Sequence, residues 1–74
     1  MKVITEEFTE TITWNQFDVG ERVVAVSPGY EPREELGVYV VTECRGPLYA
    51  GGEAVVFFEG VPHGHNPNHF KPAN

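Results

Sequence analysis

The chain has a single cysteine in 74 residues, so no disulfide can form within it and its small size is not offset by a cross-link. No apolar run approaches 18 residues, which rules out a transmembrane helix, and the N-terminus lacks the basic-then-apolar pattern of a secretory signal. A soluble, cytoplasmic chain is expected. Positive charge is scarce as well: five Lys and Arg stand against eleven Asp and Glu, a formal net charge of -6. Lys2, Arg22, Arg33, Arg45 and Lys71 are scattered singly among acidic neighbours. Binding a phosphate backbone needs clustered cations that displace condensed counterions, so this pattern argues against direct nucleic-acid binding, and against anionic membranes for the same reason. An acidic surface serves solubility, or it steers association with a basic face on another protein.

The residues that are present describe a folded, turn-rich domain. Hydrophobic residues make up 41% of the chain, with five Phe, three Tyr and one Trp, and eight Gly and six Pro mark many turns. Seventy-four residues are one domain. At this size only about 60% of the unfolded surface leaves water, so most side chains must serve the core and a deep enzyme cleft is hard to accommodate.

Three β-branched runs predict strands. Arg22-Val23-Val24-Ala25-Val26 follows a Gly20 turn and stops at Ser27-Pro28-Gly29; residues 37–44 (GVYVVTEC) and 53–59 (EAVVFFE) follow, each bordered by Gly or Pro. On the second run Val38, Val40 and Thr42 share one face and Tyr39 and Val41 the other, so both faces can pack, as in a central strand. The charged stretch YEPREE suits a solvated loop, and Pro62, Pro67 and Pro72 restrict the C-terminal segment to turns, a short 3₁₀ piece and a brief closing strand. In residues 1–14, Phe8, Glu10, Ile12 and Trp14 share one parity while Thr9, Thr11 and Thr13 share the other, which favours one extended strand. Ile4, Phe8 and Ile12 also recur every four residues, so an amphipathic helix is the alternative there. These elements predict an all-β fold: a small, partly open antiparallel barrel of about five strands over residues 17–74, preceded by a strand-like extension over residues 1–16.

The order of motifs carries a resemblance. Val19-Gly20-Glu21-Arg22-Val23, Leu36-Gly37-Val38-Tyr39-Val40-Val41, Val55-Val56-Phe57-Phe58-Glu59-Gly60 and His69-Phe70-Lys71-Pro72-Ala73 follow one another along residues 17–73. This succession resembles the small SH3-like barrel proteins of bacteriophage and prophage genomes, which open on V-G-D-x-V and close on an R-F-x-P-like ending. Glu21 stands where those chains carry Asp, and His69 where Arg is common. The resemblance implies a phage origin and an SH3-like barrel, and it carries over no catalytic residue.

Among candidate sites, His63, His65 and His69 form H-x-H-x₃-H, a pattern able to hold zinc with an open coordination position. No carboxylate lies in that stretch to support the ligands, and its prolines and Gly64 do not supply a regular backbone, so a surface loop is favoured and no metal or other cofactor is expected. Cys44 precedes Arg45, which could activate a thiol, yet no nucleophile motif surrounds it and a half-buried structural Cys is the simpler reading. Glu6-Glu7 and Glu34-Glu35 read as solvated charge, because neighbours on a strand point to opposite faces. Gly51-Gly52 lacks the Lys of a phosphate loop.

Aromatic surplus is the remaining signal. Trp14, Phe17, Tyr30, Tyr49 and Phe58 are more than such a barrel encloses alongside Val23, Val40, Val55, Phe57 and Phe70, so some are expected at the surface. Tyr30 and Tyr49, on the two long loops, are candidate partner contacts, and Phe8, Ile12 and Trp14 join them because the N-terminal segment must bury its apolar side somewhere. That segment either completes the core or adds to an edge on a partner or a second copy. The expectation is a non-enzymatic protein-binding module that occupies a surface of a host protein with a basic face, as an inhibitor would. The alternatives are a virion or oligomer component, and a small metal-dependent or Cys-based enzyme.

Overall fold

The β-branched runs and their Gly and Pro borders do become strands. The computed structural model describes residues 1–7 and 9–73 and holds six strands: β1 (Lys2–Glu7), β2 (Thr11–Gln16), β3 (Arg22–Ala25), β4 (Tyr39–Arg45), β5 (Val55–Phe58) and β6 (Phe70–Pro72). Short 3₁₀ turns at Pro28–Tyr30 and Pro67–His69 are the helical pieces among the described residues, and no helix there is long and apolar enough to cross a membrane. The fold is all-β and barrel-like. Strands β3 to β6 form one antiparallel sheet in the order β5-β4-β3-β6, and β1 and β2 form a second, two-stranded sheet.

Side-chain alternation on β3, β4 and β5 points Val23, Tyr39, Val41, Val56 and Phe58 inward, where Phe17 and Phe70 close the cluster. Phe70 packs edge-on to Phe58 with ring centroids 4.7 Å apart, and Tyr39 lies 5.3 Å from Phe58. Burying each such side chain contributes about 1.5–3 kcal/mol. The buried Tyr39 hydroxyl donates to the Arg33 carbonyl at 2.7 Å, which anchors the solvated loop to the core. The entry into β3 is a tight turn at Asp18–Glu21, where Gly20 adopts φ +88 and its N–H donates to the Val41 carbonyl at 2.8 Å.

Two expectations need correction. The N-terminal segment is neither one strand nor a helix but a hairpin: β1 pairs antiparallel with β2 from Lys2↔Gln16 to Glu7↔Thr11, so the chain reverses direction between the two strands. The parity argument ran across that reversal, and Phe8 itself lies outside the described residues. On β4 the register shifts between Val41 and Glu43, a bulge that takes up Thr42. Tyr39 and Val41 face the core as the alternation predicts, but beyond the bulge the phase reverses and Cys44, rather than Glu43, turns inward.

Because the hairpin forms its own sheet, the molecule is elongated. It measures 39 × 23 × 21 Å with a radius of gyration of 12.1 Å, against roughly 11 Å for a compact chain of this length.

Candidate surface groove at the hairpin joint

Three stretches far apart in sequence meet beside the base of the hairpin: β2, the Gly-rich loop between β4 and β5, and the turn before β6. The joint is built from polar side chains that satisfy strand backbone. Asn68 accepts from the Asn15 N–H at 2.9 Å and donates through Nδ2 to the Thr13 carbonyl at 2.9 Å. Asn15 in turn donates through Nδ2 to the Phe70 carbonyl at 3.1 Å. Asn66 caps the 3₁₀ turn by accepting the Asn68 N–H at 2.9 Å, which holds Asn68 in place for β2. On the other side Gln16 accepts from the Trp14 indole N–H at 2.9 Å and donates to the Cys44 carbonyl at 2.7 Å. The indole lies directly over Gly46, where a Cβ would fall 2.3 Å from Trp14 Cζ2. Only a glycine lets the ring approach that closely.

Two adjoining hollows of about 360 and 300 Å³ run along this joint. Glu53, Ala54, Gly52 and Asn66 line both. The larger is walled by Leu48, Tyr49, Val55, His65 and Arg45, and the smaller by Ile12, Trp14, Glu10, Thr13 and Asn68. Leu48 and Tyr49 are 77% and 70% exposed, high values for large apolar side chains, while Ile12 is half-buried. Glu10 and Glu53 have no ion-pair partner among the described residues. Arg45 is paired with Glu43 at 3.2 Å and lies 5.6 Å above the Phe57 ring. The groove therefore mixes the apolar side chains of Leu48, Tyr49, Val55 and Ile12 with polar ones, and its charges without an ion-pair partner among the described residues, Glu10 and Glu53, are acidic.

The structure sorts the sequence-derived candidates. Ile12, Trp14 and Tyr49 come together along the groove. Trp14, at 4% exposure, is a buried joint residue that lines the wall with an edge, so its role as a free contact residue is corrected. Tyr30 stands apart, stacked on His69 with ring centroids 3.8 Å apart, where it ties the β3–β4 loop to the turn before β6. Of the five aromatics in surplus, Phe17, Phe58 and Trp14 are enclosed, and Tyr30 and Tyr49 reach the surface. Glu10, Glu53, Leu48, Asn66 and Asn68 were missed. The Asn-Pro-Asn of residues 66–68 was their one legible signal, since Asn before Pro marks the cap of a short helical turn.

The histidines have separate surroundings. His65 pairs with Val56 through two backbone bonds of 2.9 Å and packs its ring 6.2 Å from those of Phe58 and Phe70, whereas His69 faces Tyr30. No group of three or more His, Cys, Asp or Glu among the described residues is arranged to hold a metal ion. Burial, then the neighbouring His63 and His69, lower the His65 pKa from its ordinary 6.5. Cys44 is half-buried, donates its thiol to the Asn15 carbonyl at 3.6 Å, and is pushed up by burial, a bond to the Phe17 backbone opposing and the Glu21 charge adding. A raised thiol pKa is the opposite of what a nucleophile requires. Comparison with protein-family models, curated proteins and solved structures finds no match for this chain.

Proposed function

We propose that the chain is a non-enzymatic protein-binding module whose groove takes a basic, extended segment of another protein and blocks the surface that segment belongs to. The observation that carries this reading is the groove itself: the exposed side chains of Leu48 and Tyr49 beside Ile12 and Val55, with the carboxylates Glu10 and Glu53, which have no ion-pair partner among the described residues, along the same lining. Apolar stems of Lys or Arg lie well over Ile12, Leu48 and Tyr49 while their cationic heads meet the carboxylates, and the net charge of -6 draws such a partner in. Exposed aromatic side chains beside a hollow are the usual anchors of protein interfaces. The order of motifs along residues 17–73 resembles that of the small SH3-like barrels of phage and prophage. On that resemblance the partner is a host protein met in the host cytoplasm, and the chain is an inhibitor.

The test is retention of host proteins on the immobilised chain beside its Tyr49→Ala and Glu53→Lys variants, at two salt concentrations. A basic protein retained by the parent chain, released by salt and lost from both variants at unchanged melting temperature supports the reading. No retained protein, or equal retention by both variants, overturns it.

A further inference from the structure

One edge of β1 is left without a strand partner among the described residues. Among the described residues strand β1 hydrogen-bonds to β2 alone, and the direction of its remaining backbone groups follows from the joint. Asn15 N–H and the Thr13 carbonyl bond to Asn68, so both residues aim their backbone groups away from β1. Their register partners Val3 and Thr5 must therefore be the non-hydrogen-bonded pairs, and the close approach of the Thr5 and Thr13 hydroxyls at 3.2 Å fits that assignment. Val3, Thr5 and, by alternation, Glu7 then present their N–H and C=O groups along the open edge. Nothing interrupts that edge: β1 contains no proline, its pairing with β2 has no register shift, and Val3 is 61% exposed. A two-stranded hairpin is marginal by itself, and such an edge is a template for another strand.

From this we infer that two copies associate through antiparallel pairing of β1 with β1 about a two-fold axis at Ile4, giving a four-stranded sheet in the order β2-β1-β1-β2. The outward-facing groups belong to odd-numbered residues, so only registers that pair odd with odd can bond. The register centred on Ile4 sets Val3 against Thr5, Ile4 against Ile4, and Lys2 against Glu6 of the second copy, twice by symmetry. Lys2 and Glu6 have no ion-pair partner among the described residues, and Ile4 extends an apolar row already begun by Trp14 opposite it. Centring one residue later places Ile4 against Glu6, and centring on Glu6 sets that carboxylate against itself; like charges directly opposite are unfavourable. Centring on Val3 sets Lys2 against Ile4 and leaves Glu6 unopposed, and centring on Lys2 opposes that cation to itself, so the register centred on Ile4 is the one that pairs both charges. The inference is independent of the groove, because it uses the edge of β1 and the groove uses the face of β2.

Sedimentation equilibrium of the chain with its Lys2→Glu and Glu6→Lys variants tests it, with thermal melts showing that each variant folds. The parent chain is expected to dimerise. Each variant alone turns two attractive pairs into two repulsive ones and weakens dimerisation about tenfold. An equimolar mixture of the two variants restores both pairs and recovers the parent affinity as a heterodimer. A parent chain that stays monomeric at millimolar concentration, dimerisation indifferent to both substitutions, or a mixture no tighter than the variants alone would each overturn the inference.

Discussion

Replacing Gly46 by Ala is the sharpest probe of the hairpin joint. The new methyl group would sit 2.3 Å from Trp14 Cζ2, 2.6 Å from Cη2 and 3.0 Å from Cε2. Ordinary contact begins near 3.4 Å, so the indole must retreat by about 1 Å. It is 4% exposed and its N–H is held by Gln16 at 2.9 Å, so the retreat strains packing and stretches that bond together. Overpacking of this kind costs about 1–3 kcal/mol and a weakened hydrogen bond about 1 kcal/mol. Taking about 2 kcal/mol, the melting temperature should fall by roughly 8–16 °C in a domain of this size. Trp14 is the one tryptophan in the chain, so its emission reports this joint alone and should move to the red. In a Trp14→Leu background the same Gly46→Ala change should cost under about 0.5 kcal/mol, because the clash is gone. If Gly46→Ala melts within about 2 °C of the parent with unchanged emission, the indole does not lie on Gly46 and the account of the joint fails.

Three further outcomes are expected. Tyr39→Phe removes the hydroxyl that bonds to the Arg33 backbone and should lower stability by about 1 kcal/mol; limited proteolysis should then cut faster within residues 26–38, and an unchanged cutting rate would count against that anchor. Because the His65 pKa is lowered in the folded chain, the unfolded chain binds more protons between that lowered value and 6.5, so stability falls as pH drops through 6.5 and levels off below the folded pKa. His65→Gln should flatten this part of a melting-temperature profile between pH 7.5 and 5.5, and an equally steep profile would dismiss burial as the cause. Cys44, with a raised pKa and half-buried at the joint, should react with a maleimide at pH 8 more slowly than a free thiol, and faster in Gly46→Ala if that variant opens the joint. Rapid labelling of the parent chain would contradict its placement.

Strands β3, β4 and β5 were legible because β-branched and aromatic residues alternate between Gly and Pro borders, and those signals are local. Proline spacing likewise announced a 3₁₀ turn and a short closing strand, since a residue without an N–H at positions 67 and 72 leaves few other conformations. Tyr30 and Tyr49 were read as surface residues from the loops they occupy. What the chain alone did not determine was decided by pairing between distant segments. The sequence between β1 and β2 carries no Gly, Asn or Pro, so the reversal that makes a hairpin has no local mark; it is set by β2 finding Asn68 in the turn before β6 and Cys44 on β4. The bulge at Thr42 arises from the fit of β4 against β5, and it turns Cys44 inward against its parity. Trp14 looked like surplus apolar surface until the backbone of Gly46, 32 positions along the chain, proved to be its seat. The groove has the same origin: Ile12, Tyr49 and Asn66 carry no shared motif, and only the tertiary fold brings their three segments to one surface.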